Sequence, residues 1–299
     1  MSDGSADSCH YWNRRLPVTS FSSTACFWRR IRRAPHRLLA LDYDGTLAPL
    51  HVDPMRAYPA SGAMEAIDLL VESDHTCVAI FSGRPVYEVY SLLGEIELPI
   101  VGSHGYETFE PEYGLTVRSP DALQLEGLDL AAEAARQLGL WHKVEVKVGS
   151  LALHTRGMPE RAASRTGDLI FREWSRLRPF GIGCRRFNGG VEVHCGGWNK
   201  GDSLQALLRA RPEGTFPVYI GDDTTDEDAF RVVQTRGFGV KVGRASTVTA
   251  AGGFLPDCEA VVAFLEYWLS LFSNDLSNER NKAWKHEDLP LSPIVCPSC

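Results

Sequence analysis

Short uncharged apolar runs alternate with segments of helical spacing along much of this chain. Leu38-Leu39-Ala40-Leu41 carries no charge, ends at Asp42 and is followed by Gly45 and Pro49, so it reads as a buried strand feeding a loop. Residues 77–80 and 217–220 repeat that pattern, and 99–101 and 238–242 predict two further strands. Between the first two runs, Met64, Ile67, Leu70 and Val71 share a helical face, with Ser61 as candidate N-cap. Residues 85–93 predict the helix after the second strand. Leu204, Leu207 and Leu208 place Lys200 at the start of another, and Val261, Phe264, Leu265, Trp268 and Leu269 mark a last helix over 257–269. Strands alternating with helices in this way predict an α/β, Rossmann-like parallel sheet.

From about 108 to 195 the pattern changes. Leu130, Ala131, Ala134, Ala135 and Leu138 make an amphipathic helix ending near Gly139, and 160–178 offers a second. In 144–148 the valines face one way and Glu145 and Lys147 the other. His154 and Arg156 stand opposite Leu151, Leu153 and Thr155, and Glu192 and His194 alternate with Val191, Val193 and Cys195. Such alternation predicts an antiparallel sheet with helices on its apolar side, an α+β unit inserted in the parallel core. The expected organisation is a core over 37–107 and 196–270, a cap over 108–195, a poorly ordered N-terminal extension over 1–36, and a polar, proline-containing tail over 271–299. No internal repeat is visible.

Composition narrows the partners. A net charge of -7 leaves no electrostatic footprint for nucleic acid and favours a small substrate. The arginine cluster at Arg29 to Arg33 reads as a solvated arm, and no stretch has the length and apolarity of a membrane span or signal peptide. Eight scattered cysteines lack the density of a disulfide scaffold, so a cytoplasmic, reducing location is expected. Cys296 and Cys299 have ligand-like spacing, but one such pair is weak evidence for zinc. Oligomeric state stays open, with a monomer consistent with the sequence.

The candidate chemistry collects at strand ends. Asp42 and Asp44, two apart in an extended segment, face the same way, and two carboxylates so close favour an oxygen-preferring cation such as Mg²⁺. An Asp-rich turn is the plain alternative. Ser82, Gly83 and Arg84 follow the second strand and supply a hydroxyl and backbone N–H groups suited to phosphate. Lys200 supplies an ammonium, and Gly221-Asp222-Asp223-Thr224-Thr225-Asp226 forms a second acidic cluster. Taken singly, each has a dull reading as a capped turn, a solvated lysine or a polar loop.

Together, in this order, DYDGT at Asp42 to Thr46, Ser82, Lys200 and GDDTTD resemble the four motifs of the haloacid dehalogenase superfamily of phosphohydrolases. The resemblance implies an aspartyl-phosphate mechanism. Asp42 would be the nucleophile and Asp44 the general acid and then base, while Ser82 and Lys200 hold phosphoryl oxygens. Mg²⁺ would be held by the Asp42 carboxylate, the Asp44 main-chain carbonyl and Asp222, with Asp226 bracing the metal site from behind. A phosphoacceptor module of the receiver type also combines aspartates, a hydroxyl and a lysine. The separate GDDTTD cluster and the large insertion argue against it.

The pattern from about Arg37 to Leu269 is similar to the trehalose-6-phosphate phosphatases, capped members of that superfamily. The likeness rests on LDYDGTLAPL, SGR at Ser82 to Arg84, HGYE at His104 to Glu107, and Glu145, Lys147, His154, Arg156 and Glu192 in the cap. Asn199-Lys200-Gly201 and GDDTTDEDAF complete it. It implies that the cap closes over the aspartates and that trehalose 6-phosphate is the substrate. By that resemblance His104, Gly105, Glu145, Lys147 and Glu192 contact sugar hydroxyls, Arg156 helps order the cap, and Ser82, Gly83, Arg84, Glu107, His154 and Asn199 complete the substrate site. As plain chemistry, the cap residues also fit the wet face of a half-exposed sheet. Two departures fall in the recognition half: His194 and Cys195 stand where the family usually has arginine and proline, and Thr155 where an aromatic is common. Phosphates of sucrose or of mannosyl or glucosyl glycerate are the alternative substrates, and a silent sugar-phosphate sensor is a further alternative.

Overall fold

The computed structural model describes residues 18–72, 76–187, 189–244 and 248–272, with side chains from Ala25 onward. The proposed tail and the Cys296/Cys299 pair lie outside the described residues. The chain forms two compact units, one built from the described residues up to Pro49, Tyr58–Ile80 and those from Leu204 onward, the other from Leu50–Ala57 and Phe81–Ser203.

In the first unit, strands β1 (Arg37–Asp42), β2 (Thr76–Phe81), β10 (Phe216–Gly221), β11 (Phe238–Val242) and β12 (Gly253–Leu255) lie in the order β12-β11-β10-β1-β2. β1, β10, β11 and β12 pair in parallel, with Leu39 opposite Val218 and Val218 opposite Phe238. Every residue of β1, β10 and β11 is buried, which accounts for the unbroken apolar runs. Helix α2 (Ala63–Val71) buries Ala63, Ala66, Ile67 and Leu70. The face expected through Met64 and Val71 is therefore rotated, and Val71 is exposed. Gly62, not Ser61, is the N-cap residue; at φ +86 it adopts the left-handed conformation open to glycine. Helix α8 (Cys258–Ser270) starts where expected, capped by Asp257, whose Oδ1 accepts from the Ala260 N–H at 2.9 Å.

The N-terminal segment departs from its expectation as an unstructured arm. Val18–Arg33 forms helix α1, and Phe27, Trp28 and Ile31 are buried. Phe27 packs on Phe238 with ring centroids 4.7 Å apart, and Trp28 packs on Phe264 and Tyr267 at 5.0 and 4.6 Å. Its mean hydropathy is low because arginines cover the outer side, which hid three well-spaced core residues. Cys77, Cys184, Cys195 and Cys258 are free thiols, whereas Cys26 is disulfide-bonded.

The second unit contains helix α3 (Val86–Leu92), antiparallel strands β3 (Ile100–Gly102), β4 (Glu107–Glu110) and β5 (Gly114–Val117), and the inserted α+β element. The insertion comprises α4 (Ala122–Gln137), β6 (Val144–Lys147), β7 (Ser150–His154), α5 (Glu160–Ser175), β8 (Ile182–Phe187) and β9 (Gly190–Cys195). Its four strands are antiparallel in the order β6-β7-β9-β8. Leu151, Leu153, Val191 and Val193 bury one face among Ala131, Ala135, Ile170 and Trp174 of the two helices. The Trp174 indole donates to the Ala131 carbonyl at 2.9 Å, satisfying its one polar group. Residues 81–107 and 196–203 also fall in this unit, and Tyr106 belongs to its core. Helix α6 (Lys200–Arg209) leads back to the first unit, where α7 (Glu227–Val233) follows β10.

Candidate active site

β1 and β10 end next to each other in the first unit, and their ends carry the acid groups. Asp42, Asp222 and Asp226 each bring a carboxylate oxygen to within 4.8 Å of the others. The loop after β1 folds tightly, with the N–H groups of Leu47 and Ala48 both donating to the Tyr43 carbonyl at 2.9 Å. Gly45 sits there at φ +83, and a Cβ on it would stand 2.2 Å from Asp222 Oδ2. Only glycine lets this backbone approach the second acidic loop so closely. Asp226 is fully buried; its Oδ1 accepts from the Tyr219 hydroxyl at 2.7 Å and its Oδ2 from the Asp223 N–H at 2.9 Å. Burial and the carboxylate beside it push the Tyr219 phenol well above its ordinary range, so it stays a donor. Both carboxylate oxygens of Asp226 are thus engaged by donors of its own loop and strand.

A set of oxygen donors with no nitrogen or sulfur, two of them buried and Asp222 half-buried, suits a hard divalent cation. Asp44, expected to contribute its carbonyl, lies in the turn itself and pairs with Ala48. Two groups missed from sequence fix the acidic loop. The buried Lys241 donates to the Asp223 carbonyl at 2.8 Å and lies 3.7 Å from Glu227, which in turn accepts from Thr249 and the Ala250 N–H. A lysine inside an otherwise apolar strand was the available clue.

In the second unit, Ser82, Gly83 and Arg84 are laced to the HGYE segment. Ser82 Oγ accepts from the Arg84 N–H at 3.0 Å, and the carbonyls of Ser82 and Arg84 accept from the N–H groups of His104 and Ser103 at 3.1 and 2.7 Å. A Cβ on Gly83 would lie 2.4 Å from His104 Cε1, so the imidazole rests directly on that backbone. Ser103 and His104 both take positive φ, at 48° and 54°. Two consecutive non-glycine residues there are held against a backbone cost by these bonds. Gly105 is required by proximity, since a Cβ on it would meet Ser203 Oγ at 2.5 Å. Glu107 Oε2 accepts from the Val86 N–H at 3.0 Å and from Ser103 Oγ at 2.8 Å, tying the start of α3 to the strained turn. Asn199 and Asp202 cap the start of α6 reciprocally, at 3.0 and 3.1 Å, and the following Lys200 is buried.

The remaining expected residues meet on the polar face of the cap sheet. The register sets Arg185 opposite Glu192, Glu192 opposite Ala152 and Ala152 opposite Glu145, which brings them to one side with Lys147, His154 and His194. His154 Nε2 lies 2.7 Å from Glu145 Oε2, and Lys147 lies 3.5 Å from Glu145 and 3.8 Å from Glu192. Burial alone would raise the Glu145 carboxyl, but His154 and Lys147 outweigh it and the net shift is downward. Desolvation would raise the almost wholly buried Glu192 carboxyl, but the Arg185 and Lys147 cations beside it hold it well below the carboxylate range. Ser150 donates to it at 3.1 Å. Arg156 instead donates to the His51 carbonyl at 3.2 Å and packs against Gly189, anchoring a loop of its own unit.

Arg185 was missed from the sequence, although its parity on β8 could have revealed it. Its Nε donates to Glu192 Oε2 at 2.9 Å, its Nη2 donates to the same oxygen, and Nη2 stands 2.9 Å from His104 Nε2. A guanidinium only donates, so toward Arg185 His104 Nε2 is the acceptor; the same nitrogen lies 3.3 Å from Glu192 Oε1, and Nδ1 is buried without a hydrogen-bond partner among the described residues. Burial drives this imidazole down to about 4 despite the pull of Glu192, so the ring is neutral near pH 7.

With these clusters described, comparison with known proteins decides the family. The trehalose-phosphatase family profile matches residues 40–253. The chain belongs to the trehalose-phosphatase family. It is accordingly a phosphoric monoester hydrolase, as the sequence led us to expect. Among curated relatives, probable trehalose-phosphate phosphatase J of Arabidopsis thaliana is 30% identical over 85% of this chain and 72% of its own length. Trehalose 6-phosphate phosphatase RA3 of Zea mays is 31% identical over 76% and 68%. Among solved structures, the C-terminal domain of C. albicans trehalose-6-phosphate phosphatase superposes with a TM-score of 0.72 at 21% identity, covering 82% of this chain and 96% of that one. A haloacid dehalogenase-like hydrolase from Bacteroides thetaiotaomicron gives 0.58 at 18%, covering 78% and 99%. The family fold is therefore the expected haloacid dehalogenase α/β core with its inserted cap. No helix of the described residues is long and apolar enough to cross a membrane.

Proposed function

We propose that this phosphatase hydrolyses trehalose 6-phosphate to trehalose and phosphate, with Mg²⁺ as its metal. The observation that carries the reading is the convergence of Asp42, Asp222 and Asp226 in a member of the trehalose-phosphatase family. An Asp42 carboxylate oxygen attacks phosphorus as the bond to the sugar oxygen breaks, and Asp44 gives its proton to that departing oxygen. Asp44 then takes a proton from water, the hydroxide attacks the acyl phosphate on Asp42, and phosphate leaves with the Asp42 carboxylate restored. Ser82 and Lys200 hold the phosphoryl oxygens. Asp42, the Asp44 carbonyl and Asp222, with Asp226 behind them, would hold Mg²⁺, which would supply charge neutralisation to the phosphoryl group. Glu145, Lys147, His104, Gly105 and Glu192 recognise sugar hydroxyls, a task suited to a cluster of both signs. Ser103, Glu107, Asn199 and Arg156 serve by fixing the backbone that carries the others, and Gly83, Arg84 and His154 complete the substrate site.

Phosphate release from a panel of disaccharide and monosaccharide phosphates, with and without Mg²⁺, tests this reading. Trehalose 6-phosphate should have the highest kcat/KM, and chelation should abolish turnover. Preference for sucrose phosphate or a glycosylglycerate phosphate would replace the substrate and keep the mechanism. Asp42→Asn should lose all detectable hydrolysis while still binding substrate in calorimetry, and persistent turnover would remove Asp42 as nucleophile.

A further inference from the structure

The polar face of the cap sheet contains a planar donor group whose hydrogen bonding is only partly used among the described residues. Arg185 has five N–H donors. Nε and Nη2 are committed to Glu192 and His104, and Nη1 has no partner among the described residues. The arrangement is fixed from three sides. The register puts Arg185 directly across from Glu192, Glu192 is held by Ser150 and Lys147, and His104 is pinned against Gly83 in its strained turn. The Glu192 side chain is only 4% exposed, whereas that of Arg185 is 26% exposed, close to the 27% of Glu145. What this part of the face offers to a ligand is therefore the far edge of the guanidinium rather than the carboxylate beneath it.

We propose that Arg185 is a specificity-determining residue, donating through Nη1 to hydroxyl oxygens of the sugar while Glu192 and His104 hold the guanidinium plane in place. This rests on the reading of the substrate as a sugar phosphate. A hydroxyl-bearing ligand fits better than a second anion because the guanidinium charge is already met by the buried Glu192. A planar group fixed through three contacts has little rotamer freedom left to lose on binding, so its two remaining donors act at low entropic cost.

The competing role is plain charge compensation, in which Arg185 only neutralises Glu192, and a lysine would perform it equally well. Arg185→Lys and Arg185→Met separate the two. The measured quantity is kcat/KM for the sugar phosphate best hydrolysed by the wild type, divided by kcat/KM for p-nitrophenyl phosphate, with thermal midpoints and circular dichroism as checks of folding. The proposal expects Arg185→Lys to stay folded yet to lose roughly 10-fold or more of this selectivity through KM, as for the loss of charge-assisted hydrogen bonds, and Arg185→Met to lose at least as much. Wild-type selectivity in Arg185→Lys would overturn it in favour of compensation. Equal proportional losses on both substrates would overturn it as well. Because the ratio uses whichever sugar phosphate the panel selects, a wild type preferring a sugar other than trehalose defeats the substrate assignment without touching Arg185, while unchanged KM in Arg185→Lys defeats Arg185 alone.

Discussion

His194 gives the molecule a defined loss of stability in mild acid. Its ring lies across β8, where a Cβ on Gly183 would be only 2.8 Å away, and its Nδ1 is buried without a hydrogen-bond partner among the described residues. Burial, with Arg185 pushing the same way and Glu192 opposing, lowers its pKa from 6.5 to about 4. Above pH 6.5 neither the folded nor the unfolded chain protonates this ring. Between 6.5 and about 4 the unfolded chain takes up the proton and the folded chain does not, so stability falls by about 1.4 kcal/mol per pH unit. Over that span the loss from this single group is about 3 kcal/mol, and below it both states are protonated and the loss ends.

The assay is urea denaturation of the wild type and His194→Asn at several pH values from 7.5 to 4. His104, whose pKa also falls to about 4, adds a similar loss to both proteins and cancels in the difference. Glu192, whose pKa is depressed, contributes fully above the ordinary carboxylate range and begins to lose that contribution as pH falls below it, at the low edge of this window; the loss is common to both proteins and cancels in the difference. The variant should therefore gain on the wild type steadily from pH 6.5 downward, by about 3 kcal/mol near pH 4. Parallel stability curves for the two proteins would refute the argument.

Three further outcomes follow from the same geometry. Glu145→Ala and Lys147→Ala should each lower selectivity for the sugar phosphate over p-nitrophenyl phosphate by roughly 10- to 100-fold through KM, and equal loss on both substrates would remove these residues from sugar recognition. Asp226→Asn places an amide against the two donors that now share a carboxylate, so the Mg²⁺ concentration giving half-maximal turnover should rise about 10- to 100-fold; an unchanged value would show that the brace does not set metal affinity. Trp28→Ala should cost about 3–5 kcal/mol in denaturant unfolding because the indole is buried against Phe264 and Tyr267, whereas a cost below 1 kcal/mol would return α1 to the status of a loose arm.

What could be read from the chain depended on where the partners of each group lie. The strands β1, β10 and β11 were legible because a strand buried on both faces has to be continuously apolar, and the acidic residues mark their ends whatever the neighbours are. The start of α8 was legible for a similar reason, since Asp257 and the first turn it caps are adjacent in sequence. Helix α1 was not legible, because Phe27, Trp28 and Ile31 gain their meaning only from Phe238, Phe264 and Tyr267, more than two hundred positions away. The face of α2 was misjudged for a related reason: Ala63 and Ala66 are buried in place of larger residues, and small side chains carry little periodic contrast.

The same distinction separates the chemistry from the recognition. Asp42 and Asp222 are placed by parallel strands whose ends must lie together, so two short motifs suffice to announce an acidic cluster that could hold a metal. The polar cluster on the cap depends on an antiparallel register, and a register relates residues that no local pattern connects. Glu192 was identified by its own alternation with Val191 and Val193, yet its charge is balanced by Arg185, whose strand reads from sequence as a cysteine, two arginines and a phenylalanine without clear period. Once β8 is set beside β9, Arg185 stands directly opposite that buried carboxylate. A substrate for this face should then be chosen by the edge of a guanidinium as much as by Glu145 and Lys147. The departure at His194 has a physical counterpart in the same place, since a neutral imidazole over Gly183 leaves Arg185 as the cation on that side of Glu192.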